Sequence, residues 1–256
     1  MLVNYEREDT IATITIERPE RRNAVDAATA TALVEAFERF DEDSSASVSI
    51  LRGAGGNFCA GADLKALASG ERKPLRPEGH APMGPTRMEL HKPVIAAIEG
   101  YAVAGGMELA LWCDLRVMAS GATLGIFCRR FGVPLVDLGT IRLPRMIGHS
   151  RAMDLILTGR PVHAKEALEI GLVNRLAENG QAYDKAKELA KTLAAFPQAC
   201  LRNDRLSLLR QWDLTTSEAT AAEIEFGLNT VESGETLSGA TRFGGGEGRN
   251  GVFQNQ

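Results

Sequence analysis

Thr10–Glu17, "TIATITIE", alternates apolar and polar positions with Ala12, Ile14 and Ile16 on one face, a period of two that predicts a strand. Behind it, Asp26 can cap a helix in which Leu33, Phe37 and Phe40 recur at helical spacing. "VSILRG" (Val48–Gly53) predicts a second strand closed by the turn "GAGGN". "FCAGADLKALAS" follows, with a helix from about Ala62. "KPVIAAIEG" (Lys92–Gly100) predicts a third strand, after which "YAVAGG" turns into a helix read through "MELALWCDLRVMA". "LTGRPVHAKEALEIGLVNRL" predicts a helix end at Gly159, a short helix and a strand. From Gln181 the pattern is helical: Ala182–Phe196, then "ACLRNDRLSLLRQW", then "SEATAAEIEFGLNTVESG". Two stretches break the periodicity. Residues 69–86, "SGERKPLRPEGHAPMGPT", predict a long mobile loop of the kind that borders sites, and the glycine-rich "FGGGEGRNG" predicts a loosely held tail.

Strands thus alternate with helices and then give way to helices alone. This predicts an α/β core over residues 1–195 and a helical region over 196–256, with no fixed-period repeat. The apolar fraction of 44% and charged fraction of 24% are those of an ordinary soluble domain. A net charge of −4, with no basic tract interleaved with aromatics, argues against a nucleic-acid binder. No stretch approaches the roughly 18–20 apolar residues of a membrane span. The opening "MLVNYERED" carries no apolar signal core. The cysteines Cys59, Cys113, Cys128 and Cys200 form no CxxC pair, so neither disulfides nor a metal site are expected, and a reducing cytosol is.

Two places share one design: a strand, a tight turn of Gly and Ala, and a helix beginning at once. One runs through Ala60-Gly61-Ala62, the other through Ala104-Gly105-Gly106. The first N–H groups of a helix lack intrahelical partners and sit at its electropositive end. Two such ends converging would form a two-donor oxyanion hole. Each turn would equally serve to pack a helix closely on a sheet.

"RRNAV", "FCAGADLK", "KPVIAAIEGYAVAGGMELALWCDLRVMA", "RLPRMIG" and "LTGRPVHAKEALEIGLVNRL", in this order, resemble the crotonase family of enoyl-CoA hydratases and isomerases. The resemblance runs from about Thr10 to Leu176 and is weaker in the C-terminal helices. It implies a spiral of ββα units followed by helices that mediate trimers or dimers of trimers. It also implies an acyl-CoA thioester substrate, with coenzyme A as part of that substrate and no separate cofactor. The thioester oxygen would sit between the backbone N–H groups of Ala62 and Gly105. Arg21, Arg22 and Ala24 would meet the nucleotide, with Ala60, Asp63, Leu64 and Lys65 completing the CoA side; the same charges would also suit plain solvated surface.

Glu108, three residues past Gly105, matches one of the family's two catalytic glutamates, although an acid there also complements the helix dipole. The second glutamate is missing. Family hydratases carry it in a Gly-x-Pro-Glu run, and here the run is "GIFCRR" with Cys128 in its place. Cys128 is either a small apolar filler or, with Arg129 and Arg130 lowering its pKa, a reactive thiolate. Asp137, in "VPLVDLGT", offers a replacement carboxylate unless it only caps the next turn. Dienoyl-CoA isomerases and the chlorobenzoyl-CoA dehalogenase have an aspartate in a similar setting. The leading expectation is an enoyl-CoA hydratase-like lyase using Glu108 and Asp137. The alternatives are a double-bond isomerase, a hydrolytic dehalogenase or thioesterase, and an acyl-CoA binding module that has lost its chemistry. None of the four histidines is assigned a role.

Overall fold

The structure, a computed structural model, describes residues 1–70 and 75–248. Its first strand, β1 (Val3–Glu8), has too many charges to show in the apolar pattern; it is held by antiparallel pairing with β2 (Ile11–Ile16), from Val3 opposite Ile16 to Glu8 opposite Ile11. All six residues of β2 are buried, so the strand is covered on both faces. Ala12, Ile14 and Ile16 face a core cluster with Leu33 and Phe37 of α1 (Ala27–Glu42). Ile11 joins a second cluster on the other face. Asp26 caps α1 by accepting from the Thr29 N–H at 2.8 Å.

From here the chain winds in repeating steps. A strand enters a long sheet, the chain turns into a short second sheet, and a helix follows. β3 (Val48–Gly53) is followed by a single bridging residue, Cys59, and then α2 (Leu64–Ala68). β4 (Val94–Ile98) leads to β5 (Tyr101–Val103) and α3 (Gly105–Trp112). β6 (Leu115–Ala119) leads to β7 (Thr123–Gly125) and a 3₁₀ helix, Phe127–Phe131. Then come α4 (Gly139–Ile147), α5 (His149–Thr158), β8 (Pro161–His163), α6 (Ala164–Glu169), β9 (Arg175–Ala177) and α7 (Ala182–Ala195). The long sheet has the order β1-β2-β3-β4-β6-β9, parallel after the first pair, and the short sheet the order β5-β7-β8. Cys59 bridges to Ala102 of β5, so successive steps stack on one another. The two glycine turns of the sequence are therefore equivalent positions on neighbouring steps.

Three expectations need correction. The helix read through "MELALWCDLRVMA" ends at Trp112, and Leu115–Ala119 is strand β6. Asp114 breaks the helix by accepting from the Val94 N–H at 2.8 Å, and β6 then pairs between β4 and β9. α2 starts at Leu64 rather than Ala62, because Asp63 is its cap. Within the stretch expected to be a mobile loop, Ala81, Met83, Pro85 and Thr86 are buried. Residues 71–74 of that stretch, and 249–256 including the end of the glycine-rich tail, lie outside the described residues. The chain closes with α8 (Gln198–Arg210), α9 (Thr216–Glu232, opened by a Thr215–Glu218 capping box) and α10 (Glu235–Gly244), which takes in the start of "FGGGEGRNG". α8–α10 pack chiefly on one another, and Arg205 pairs with Asp114 at 2.8 Å to tie them to the core. No helix among the described residues is long and apolar enough to cross a membrane.

Candidate active site

The two glycine turns meet. A methyl group on Gly61 would lie 2.9 Å from the Gly105 nitrogen and 2.9 Å from the Ala104 Cβ, and one on Gly106 would lie 2.0 Å from the Cys59 carbonyl oxygen. The small residues thus serve close packing. The same packing leaves donors over. Val25 N–H donates to the Gly61 carbonyl and Asp63 N–H to the Val25 carbonyl, which turns the intervening Ala62 N–H away from that bridge. Neither the Ala62 nor the Gly105 N–H has an acceptor among the described residues. Both residues line a cavity of about 670 Å³. Ala104, immediately before Gly105, has φ 55° and ψ −127°, a conformation costly for any residue with a side chain.

Glu108, one turn into α3, is 3% exposed and lines the same cavity. Its Oε1 accepts from the Asp137 N–H at 3.0 Å and the Gly139 N–H at 2.8 Å. Those two amides flank Leu138, whose left-handed φ of 67° aims both at one point in front of α4, an anion-binding concavity at a helix start. Asp137 is also buried and lines the cavity. Its Oδ1 accepts from the Met83 N–H at 2.9 Å and the Thr86 hydroxyl at 2.7 Å. Each carboxyl group is thus anchored through one oxygen. The other oxygen, Glu108 Oε2 or Asp137 Oδ2, has no protein partner and is not sealed from the cavity. Arg142 clamps the arrangement from behind, donating to the Asp137 carbonyl at 3.2 Å and the Thr86 carbonyl at 2.7 Å.

Burial, and then the charge of Asp137, push the Glu108 carboxyl up to about 7, against the two amides that favour its ionised form. Burial also raises Asp137, opposed by the Thr86 hydroxyl, the Met83 amide and the charges of Arg87 and Arg142. Two carboxyls whose burial favours the protonated form, facing one cavity, suit a pair in which one gives a proton while the other takes one. Cys128 lines the cavity as well. Its thiol is raised by burial and then by Glu108, so it is neutral. Arg129 opposes this but is outweighed, its Nε donating to the Ile156 carbonyl at 3.1 Å, and Arg130 lies over the Phe127 ring at 4.2 Å.

Of the other expected site residues, Ala60, Asp63 and Leu64 line the cavity, while Arg21, Arg22, Ala24 and Lys65 do not. Asp63 is committed elsewhere: Oδ1 caps α2 and Oδ2 pairs with Arg18 at 3.0 Å. Ala24 is buried, with its carbonyl accepting from Arg18, and Ala60 donates to the Arg22 carbonyl at 3.0 Å. Arg21, Arg22 and Lys65 are exposed on this side of the molecule, and Arg22 lies 5.6 Å from the Tyr101 ring. Sequence reasoning missed Arg18, Asn23, Met83, Thr86 and Arg142. Asn23 is fully buried and donates to the Ala54 and Asn57 carbonyls at 2.8 and 2.7 Å, stapling the Arg21–Ala24 loop to the turn after β3. Glycine at 139, beside the aspartate, was the available signal for the Glu108 anchor.

The sequence pattern defining the enoyl-CoA hydratase/isomerase family matches residues 6–256. Among similar proteins, "Enoyl-CoA hydratase EchA19" of Mycobacterium tuberculosis is 34% identical over 98% of this chain and 96% of its own length. A "Carnitinyl-CoA dehydratase" of Salmonella arizonae is 41% identical over 73% of this chain and 72% of its own. The crystal structure of enoyl-CoA hydratase EchA1 from Mycobacterium marinum superposes with a TM-score of 0.90 at 40% identity, covering 95% of each chain.

Gly139→Ala tests the anchor. The added methyl would lie 2.7 Å from Glu108 Oε1 and 2.8 Å from its Cγ, so the carboxyl must move. Turnover is expected to fall at least about tenfold, since misplacing a reacting group by about an ångström costs as much or more. Circular dichroism should be unchanged. Wild-type turnover in a folded Gly139→Ala variant would show that the anchor is dispensable.

Proposed function

The chain belongs to the enoyl-CoA hydratase/isomerase family, and from this footing we propose that it adds water to, or removes it from, a 2-enoyl-CoA thioester. The observation that carries the reading is the pair of half-anchored carboxyls in one cavity that Ala62 and Gly105, whose amides have no acceptor among the described residues, also line. In the hydration direction, water sits between Glu108 Oε2 and Asp137 Oδ2. The ionised carboxylate of the pair takes a proton from that water as its oxygen bonds to the β-carbon. The π electrons move onto the thioester oxygen, giving an enolate that the Ala62 and Gly105 N–H groups stabilise. Losing one such donor costs roughly 100- to 1000-fold in other enzymes. The enolate then collapses, and the α-carbon takes the proton held by the other carboxyl. Cys128 is a neutral wall of the pocket. The pair suits water addition, which needs one group to accept a proton and another to donate one.

For coenzyme A we propose the exposed Arg21, Arg22 and Lys65 as phosphate contacts, with backbone groups of Ala24 and Ala60 along the handle. Lys65 has no ion-pair partner among the described residues. The free state of Cys59, Cys113, Cys128 and Cys200 fits a reducing cytosol. α8–α10 leave Leu208, Trp212, Ile224, Leu228, Val231 and Leu237 exposed, an apolar surface that suits subunit contacts in a trimer or dimer of trimers.

Glu108→Gln and Asp137→Asn keep shape and remove the base. Each is expected to lower hydration turnover by roughly 100-fold or more. Cys128→Ala should change it little, because a neutral thiol contributes packing. Loss of activity in Cys128→Ala with none in Asp137→Asn would overturn the assignment of the second group. Light scattering at micromolar concentration should give a trimer or hexamer mass; a stable monomer would overturn the assembly.

A further inference from the structure

Thr86 is fully buried and does not line the cavity, so it acts there only through a neighbour. It lies in a 3₁₀ turn, Pro85–Arg87, that packs against α1 and α3. Its main chain and its side chain are held separately. The carbonyl accepts from Arg142 of α4 at 2.7 Å, which fixes the turn to that helix. The hydroxyl donates to Asp137 Oδ1 at 2.7 Å, and the Met83 N–H donates to the same oxygen at 2.9 Å. Both lone pairs of Oδ1 are thereby met by donors, and a proton placed there would have to displace one of them. The proton that Asp137 gains or gives up therefore belongs to Oδ2. The charged groups that face Asp137 among the described residues are Glu108 of α3, Arg87 of the turn and Arg142. Neither arginine donates to the carboxyl. Arg87 reaches the Val136 carbonyl at 3.2 Å and the Arg76 carbonyl at 2.6 Å, and Arg142 the Asp137 and Thr86 carbonyls. Asp26 and Asp63, elsewhere on the lining, are paired with Arg18 at 2.9 and 3.0 Å. Among the described residues, Thr86 is thus the side chain that bonds the Asp137 carboxyl itself.

We propose that Thr86 is a positioning residue for the acid–base step: its hydroxyl turns Asp137 so that Oδ2 exchanges the proton, and it favours the ionised carboxylate. The inference rests on the reading of Asp137 as one of the two acid–base groups. Threonine suits the task because its branched side chain has few rotamers, so the hydroxyl stays aimed. A hydrogen bond to the ionised form makes the proton easier to release, against the burial that holds it on.

Thr86→Val removes the hydroxyl and leaves the bond from Arg142 to the main chain in place, whereas Thr86→Ser keeps the hydroxyl and loses the methyl. With a 2-enoyl-CoA that the wild type hydrates, Thr86→Val is expected to lower kcat at least about tenfold, with KM within about threefold of wild type. The limb of the pH profile set by the carboxyl pair should move up by roughly half a unit or more. In the infrared difference between each protein and its own Asp137→Asn variant, the protonated-carboxyl band should persist to correspondingly higher pH in Thr86→Val. Thr86→Ser should stay near wild type in all three readouts. Wild-type kcat in Thr86→Val on a hydrated substrate, or an unmoved carboxyl titration, overturns the inference. So does a Thr86→Ser variant as perturbed as Thr86→Val, because the methyl's packing would then be what matters. Circular dichroism checks the fold; where Thr86→Val fails to fold, Thr86→Ala removes the same hydroxyl with less bulk and carries the same measurements. The infrared readout needs no turnover. If the Asp137 band moves in Thr86→Val while the wild type hydrates none of the 2-enoyl-CoAs tested, the role of Thr86 toward Asp137 stands and the hydratase reading falls.

Discussion

One carboxylate oxygen, Glu108 Oε1, joins three parts of the chain. Its side chain rises from the first turn of α3, and it accepts from two amides at the start of α4, at 3.0 and 2.8 Å. The residue that gives one of those amides, Asp137, turns its own carboxyl to Met83 and Thr86, in the segment before β4. Arg142 closes the loop by holding the Asp137 and Thr86 carbonyls. Moving Glu108 would therefore unseat the second acid, the wall that carries Met83 and the entry to α4 together. Met83 also packs on Gly105, where a methyl group would meet its sulfur at 2.5 Å, so the acid pair and the oxyanion turn are braced by one side chain.

The arrangement is held against a cost. Of the five non-glycine residues with positive φ among those described, Arg22, Asn23, Ala104 and Leu138 lie around the site, and only Asp9 lies elsewhere. Strain of this kind costs about 1–3 kcal/mol per residue and persists where the surroundings enforce it. Glu108 adds an electrostatic cost. The unfolded chain releases its proton near 4.5 and the folded chain near 7. The folded state therefore binds more protons between those values, and stability falls as pH rises through the window, by on the order of 3 kcal/mol in all. The rest of the fold must offset this, chiefly through β2, β3, β4 and β6, which carry one core cluster on one face and a second, against α7, on the other.

Much of the site was legible because its chemistry is local in sequence. The two Gly/Ala turns, Glu108 three residues beyond one of them, and Cys128 standing where a second glutamate is expected are all short-range patterns. The spiral makes the turns equivalent, which is why they look alike in sequence. What stayed hidden depends on contacts between distant segments. β6 reads as a helix until β4 and β9 are present to pair with it. β1 is charged on its open side and is held by pairing with β2 and by contacts to α1 and its C-cap, such as Arg39 over Tyr5 and Arg7 with Asp43. The Pro/Gly-rich run before β4 looks mobile, yet residues 81–86 are fixed because Asp137, about fifty positions later, accepts from Met83 and Thr86. No local pattern marks Arg142 or Asn23: Arg142 reaches the Thr86 carbonyl and Asn23 the Ala54 and Asn57 carbonyls, all distant in sequence.

The central claim is that Glu108 and Asp137 work as one unit that carries a proton near neutrality. The most direct check is an infrared titration of the protonated-carboxyl stretch between about pH 5 and 8, taken as the difference between the wild type and Glu108→Gln. Ordinary surface carboxylates are ionised over most of that range and cancel in the difference. The account predicts a protonated carboxyl that persists above pH 6 and titrates near 7 in the wild type, and that is lost in Glu108→Gln. A wild type in which every carboxyl has ionised by about pH 5 would contradict it.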